Sequence, residues 1–198
     1  GALSRRADEA TVARRGASGE HPRIAIRRTL SSGPPDTPKQ PRPHQPVSED
    51  YLAGATARVP PAFPVPASAV WAALLDADAW TKWLPITKVT WTSPQPFGVG
   101  TTRTVEIGRQ IVEETFFAWD EGKRMAFRFE RSTLPVSAAV EDYRVVPTDS
   151  GCELHWTGRA SAFWPLGFLI NRQLAAGIRS GLPKLEALIK ADPQRFGA

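Results

Sequence analysis

Between Ile86 and Ala160 the chain alternates β-rich stretches with turn chemistry, and this run constrains the fold more than any other feature. The turns are Phe97-Gly98-Val99-Gly100, Asp120-Glu121-Gly122-Lys123 and Thr148-Asp149-Ser150-Gly151. Such punctuation predicts hairpins, with strands at 86–93, 100–109, 110–119, 124–131, 138–146 and 152–160. Short loops between them require an antiparallel meander. After it, Leu174, Ile178, Leu182, Leu185 and Ile189 recur at spacings of three and four, one face of a long C-terminal helix in which Pro183 predicts a kink. Before it, the segment 55–63 can extend as an edge strand, Pro66-Ala67-Ser68 opens a helix carrying Val70, Trp71, Leu74 and Leu75, and a short second helix carries Trp80 and Trp83 before Pro85. The order predicts an α+β fold in which one antiparallel sheet buries its apolar face under the last helix.

All seven tryptophans, nine phenylalanines and both tyrosines lie beyond residue 50. Residues 1–50 hold nine Lys or Arg, six acids, seven prolines and no aromatic residue. A stretch of that composition cannot bury enough apolar surface to offset its ordering entropy. We therefore expect a disordered Pro/Arg-rich extension over 1–50 and one folded domain over 51–198. The acids interrupting the basic residues, and the lack of stacking aromatics, argue against nucleic acid as a partner.

One cysteine, Cys152, excludes an internal disulfide, and His21, His44 and His155 are too scattered to suggest a metal centre. No metal or cofactor is expected. The longest nearly apolar run, Phe163 to Ile170, is far short of the roughly 20 residues that span a bilayer. A cytoplasmic protein, monomer or homodimer, is expected.

Several segments together resemble a known superfamily. These are Val65-Pro66-Ala67-Ser68-Ala69-Val70-Trp71 with Leu74, Leu75 and Asp76, then Trp83-Leu84-Pro85, Gly98-Val99-Gly100, Glu113 and Glu114, Trp119-Asp120, Gly151 with Leu154-His155-Trp156, and Gly181-Leu182 with Leu185. Over residues 55–190 they are similar to the START-like or SRPBCC proteins, in the polyketide cyclase/dehydrase and lipid-transport branch related to birch-pollen allergens. The resemblance implies a helix-grip fold, a curved seven-stranded antiparallel sheet wrapped around a long C-terminal helix, with two short helices after the first strand. It also implies a cavity that binds a hydrophobic small molecule such as a lipid, polyketide or aromatic metabolite. The superfamily shares no catalytic residue set, so none is carried over.

Strand alternation suggests which side chains face such a cavity. Leu154 and Trp156 share one face of their strand, opposite His155, and Met125, Phe127 and Phe129 form an apolar face. In 138–146 both faces hold apolar residues, and the resemblance favours Glu141, Tyr143 and Val145 inward. In 110–119 both phases stay open: Ile111, Glu113, Thr115, Phe117 and Trp119 oppose Val112, Glu114, Phe116 and Ala118. Arg103 shares a face with Val105 and Ile107. The candidate ligand-binding residues are thus Trp80, Trp83, Arg103, Phe117, Phe127, Phe129, Glu141, Tyr143, Trp156, Phe168, Leu174 and Ile178.

Two classes of function compete. One is binding, carriage or sensing of the guest. The other is a cyclase or dehydratase in which Glu141 and Tyr143 move protons. The polar groups also have a plain structural reading as a cross-strand ion pair. Phe163 to Ile170 can gate the cavity, touch a membrane transiently, or simply pack under the sheet.

Overall fold

The computed structural model describes residues 39–55, 57–59 and 63–198, so most of the expected disordered extension lies outside the described residues. The elements run β1 (Arg42–Pro43), α1 (Glu49–Ala53), β2 (Ala57–Val59), α2 (Ala67–Leu75), α3 (Ala77–Trp83), β3 (Lys88–Trp91), β4 (Thr102–Ile107), β5 (Gln110–Asp120), β6 (Arg124–Ser132), β7 (Ala138–Thr148), β8 (Gly151–Ser161), α4 (Leu166–Ala191) and α5 (Pro193–Phe196). Seven strands form one antiparallel path, β2-β8-β7-β6-β5-β4-β3, and β1 pairs with β6 off that path. The curved sheet and the long α4 make a helix-grip fold. No helix among the described residues is long and apolar enough to cross a membrane.

The local reasons are readable. Asp76 ends α2 and caps α3, its carboxylate accepting from the backbone N–H groups of Asp78 at 2.9 Å and Ala79 at 3.1 Å. α2 is buried over nearly its whole length, through Ala69, Val70, Trp71, Ala73 and Leu74. Its Trp71 and the sheet's Trp119 both donate to one carboxylate, that of Glu121 in the β5–β6 turn, at 2.8 Å each. α4 is continuous through Pro183 and buries Ile178, Gly181, Leu185 and Ile189. Gly181 is needed for close approach, because a Cβ there would sit 2.6 Å from the backbone oxygen of Trp83.

Two irregularities of the β5–β6 pair set which residues face inward. The register shifts between Glu113 and Glu114, and again between Phe116 and Ala118. At the second shift Phe117 is the extra residue, and the strand bends there. Val112, Glu114 and Phe116 face the core before it, and Trp119 packs against Phe116 and Trp71 after it.

The domain begins earlier than residue 51. β1 pairs with Ser132 and Arg131 of β6, beyond the Arg124–Arg128 stretch that β7 pairs. The backbone N–H groups of His44 and Gln45 continue that contact to Glu130 and Ser137. α1 then sets Leu52, with Ala55, against the outward-facing Val140. A proline-rich strand can be held this way because it is short and lies at an edge.

Candidate functional site

The inner faces of β4 to β8, the end of α3 and the first half of α4 enclose a cavity of about 80 Å3. Its wall is largely apolar, including Val105, Val112, Phe127, Phe129, Ile170 and Leu174. Its polar groups are Arg103, Glu114, Glu141 and Tyr143. Each is buried: Arg103 is 2% exposed, Glu114 4% and Glu141 8%.

Arg103 is the centre of this group. Its Nε–H donates to Glu114 Oε2 at 2.5 Å across the β4–β5 pair, where the two residues are register partners. The guanidinium carbon lies 4.4 Å from the Trp80 ring centroid and 4.5 Å from that of Phe127. Those π faces attract the cation and fix the plane of its fork. Trp80 is itself held, since its indole N–H donates to the backbone oxygen of Leu74 at 2.9 Å. Nη1 of Arg103 is buried and has no hydrogen-bond partner among the described residues.

On the facing strands, Glu141 Oε2 accepts from the Tyr143 hydroxyl and the Trp156 indole N–H, both at 2.8 Å. Pairing explains the geometry: Glu141 lies opposite Gly158, and Tyr143 opposite Trp156. The Trp156 ring therefore leans over Gly158 to reach the carboxylate, and a Cβ at 158 would meet that ring at 2.3 Å.

Burial governs the proton equilibria. It pushes the Glu114 carboxyl up to about 7, with the Arg103 charge opposing and the Glu141 charge adding to the rise. Glu141 is also raised by burial, against its hydrogen bonds from Trp156 and Tyr143 and the Arg103 charge. Tyr143 is raised well above the usual phenol range by burial and by Glu141.

Because Glu114 titrates higher folded than its unfolded value of 4.5, the folded state holds the extra proton in between. Its stabilising contribution is complete below about pH 4.5 and is lost as pH rises through about 7, a span worth about 3 kcal/mol. His44, lowered by burial, acts in the opposite sense. The comparison with Glu114→Gln isolates the carboxyl. Wild type should lose stability relative to that variant between about pH 5 and about pH 8, and the Glu114 side-chain carbon should titrate near 7 by NMR. A midpoint among those of exposed glutamates would remove the argument.

Of the twelve candidates, Trp80, Arg103, Phe127, Phe129, Glu141, Tyr143 and Leu174 line the cavity. Five do not. Phe117 is turned outward by the β5 irregularity and packs on the Val140 cluster. Phe168 is 66% exposed on the outer side of α4. Trp83 and Ile178 are buried core, Trp83 against Trp80 with ring centroids 5.2 Å apart. Trp156 stands behind Glu141 and positions it. Glu114, one of two alternatives in the sequence, is the glutamate that faces inward. Leu134 and Val136 are wall residues the sequence reading missed, and Ile170 joins the wall from the stretch Phe163 to Ile170.

His155 lies on the outer face and pairs with Glu153 at 2.8 Å. It borders an open groove of about 570 Å3 with Glu49, Leu52, Asp142 and Arg144. Asp142 there already accepts from Arg124 and Arg144. Phe163 and Trp164 are exposed just before α4.

Comparison with known proteins agrees with this architecture. Residues 55–190 match the family described as polyketide cyclase / dehydrase and lipid transport. Proteins of Mycobacterium tuberculosis and Mycobacterium bovis, both named only as uncharacterized, are 56% identical over 87 residues, 42% of this chain and 52% of theirs. The match thus spans about half the length of those relatives. Among solved structures, a Mesorhizobium loti protein is 20% identical, covering 68% of this chain and 96% of its own, with TM-score 0.55. A Thermobifida fusca protein is 22% identical, covering 66% and 91%, with TM-score 0.55. Ara h 8.0201 is 15% identical, covering 68% and 95%, with TM-score 0.52. These structures share the fold, and the match over residues 55–190 shows that the chain belongs to the polyketide cyclase/dehydrase and lipid transport family.

Proposed function

We propose that this protein binds a hydrophobic small molecule in the cavity beneath α4 and acts by carrying or sensing it. The observation that supports this best is an apolar-walled cavity into which the fold has brought a buried, incompletely hydrogen-bonded arginine. Apolar burial would supply most of the affinity, at about 25 cal/mol per Å2, and the polar cluster would set orientation. A core needing only stability has no use for a guanidinium there.

Size narrows the guest. Pockets for drug-sized ligands hold roughly 300–1,000 Å3, against about 80 Å3 here. A fused polycycle or a full acyl chain would need α4 to move outward. The start of α4 is the wall suited to such motion, since Ile170 and Leu174 face the cavity while Phe168 and Leu169 stand in solvent.

A second reading, acid/base catalysis on a carbonyl guest, is favoured by Glu114 titrating near 7 and by the Glu141–Tyr143 hydrogen bond. Native mass spectrometry of protein purified from its own host, followed by Glu141→Gln and Tyr143→Phe with the guest so identified, separates the two. For a carrier, both variants should shift affinity by about tenfold or less with the guest recovered unchanged. Conversion of the guest that stops in both variants while binding persists would establish the enzyme. Absence of any guest, with no thermal shift across lipids and ring compounds, would defeat both readings.

A further inference from the structure

Among the described residues, two buried side-chain donors lack a partner, Nε1 of Trp83 and Nη1 of Arg103, and of these residues only Arg103 lines the cavity. Building on the ligand-binding reading, we infer that the cavity takes a small neutral carbonyl compound, with an apolar body of about one ring, whose oxygen accepts from Nη1–H of Arg103. Three observations carry this.

The first is the donor itself. A guanidinium has five N–H groups and no acceptor, so an unpaired one calls for a ligand oxygen. Leaving it unpaired in a buried site is costly, which makes an acceptor worth more here than in water. Trp80, Phe127 and Phe129 line the same cavity and give an apolar body aromatic surface to pack against.

The second is charge. The titratable groups facing the cavity are Arg103, Glu114, Glu141 and Tyr143, one cation against two carboxyls. With either glutamate ionised, the arginine is already matched. A carboxylate guest would add an uncompensated anion in a water-poor space, or force a proton onto a glutamate. A ketone or aldehyde oxygen satisfies the donor at no charge cost.

The third is volume. One water site needs about 10–15 Å3 of such space, so a cavity of about 80 Å3, several such sites, takes a guest of about one small ring. That is a ring with its carbonyl. A long acyl chain does not fit beside it.

The test uses four probes on the full chain by ligand-observed NMR: cyclohexanone, methylenecyclohexane as its oxygen-free isostere, cyclopentanecarboxylate and dodecanol. In wild type, cyclohexanone should bind, should shift the Arg103 side-chain nitrogen resonances, and should outbind the carboxylate near neutral pH. Arg103→Met should lower the ratio of ketone to hydrocarbon affinity by about tenfold or more. Should that variant fold poorly, Arg103→Met with Glu114→Leu serves for the same ratio. An unchanged ratio, a carboxylate or dodecanol that binds more tightly than the ketone, or silent Arg103 resonances would overturn the inference. If all four probes fail while another hydrophobic guest co-purifies, the carbonyl assignment falls and the ligand-binding reading stands. If no guest of any kind is found, both fall.

Discussion

Replacing the buried ion pair by apolar side chains, Arg103→Met with Glu114→Leu, is expected to raise stability by about 1–4 kcal/mol in denaturant unfolding followed by tryptophan fluorescence. Both charges are out of water, at 2% and 4% exposure, and Nη1 of Arg103 gets no compensation for its lost hydration. A methionine stem would fill the same slot between Trp80 and Phe127 without that penalty. The single variants should behave asymmetrically. Glu114→Leu strands a guanidinium that cannot give up its proton, and should cost about 3–5 kcal/mol. Arg103→Met leaves a carboxyl that already titrates at about 7 and can take up a proton, so its cost should be small. This pattern would mean that the pair is kept for the guest and at the expense of the fold. A double variant less stable than wild type would instead make the pair a structural anchor.

Gly158→Val is expected to cost about 2–6 kcal/mol and to abolish guest binding. A Cβ at 158 would lie 2.3 Å from Cζ2 and 2.6 Å from Cη2 of Trp156, so the indole must leave the strand surface. Crowding of this kind costs about 1–3 kcal/mol, and stranding the Glu141 carboxylate after its 2.8 Å bond from Trp156 is lost adds about 1–3 kcal/mol. The near-ultraviolet circular dichroism of the tryptophans should change with it. Gly177→Ala is the control. Nothing lies within 4 Å of a Cβ there, and alanine in a helix interior is favoured by up to about 1 kcal/mol. If Gly158→Val were as well tolerated as the control, the lean of Trp156 over Gly158 would not hold Glu141 in place.

Much of the site was legible because alternation and turn chemistry act locally. The turns after Phe97, Asp120 and Thr148 gave the hairpins, and the faces of β4, β6 and β8 followed by counting. β7 was ambiguous for a physical reason. Val140 and Asp142 on its outer side are also buried, under the Leu52 cluster and by Arg124, so neither face carries a solvent signal. β5 was ambiguous because its two register shifts break the period of two. That is why Phe117 was misassigned, and why Glu114 could not be chosen over Glu113. The segment from Lys39 to Asp50 was placed outside the domain because composition reports what a stretch can bury by itself. Its pairing with β6 and the seat of Leu52 are offered by the sheet.

Periodicity and turn residues, which are properties of neighbours in the chain, determined the sheet, the closing helix and the apolar character of the space between them. The tertiary structure alone decided how large that space is, and that Arg103 meets Glu114 while one of its donors goes unpaired. It also decided that Trp156 bends across Gly158 to hold Glu141. Those outcomes depend on register shifts and on the approach of segments far apart in sequence, where a displacement of one residue turns a side chain to the opposite face.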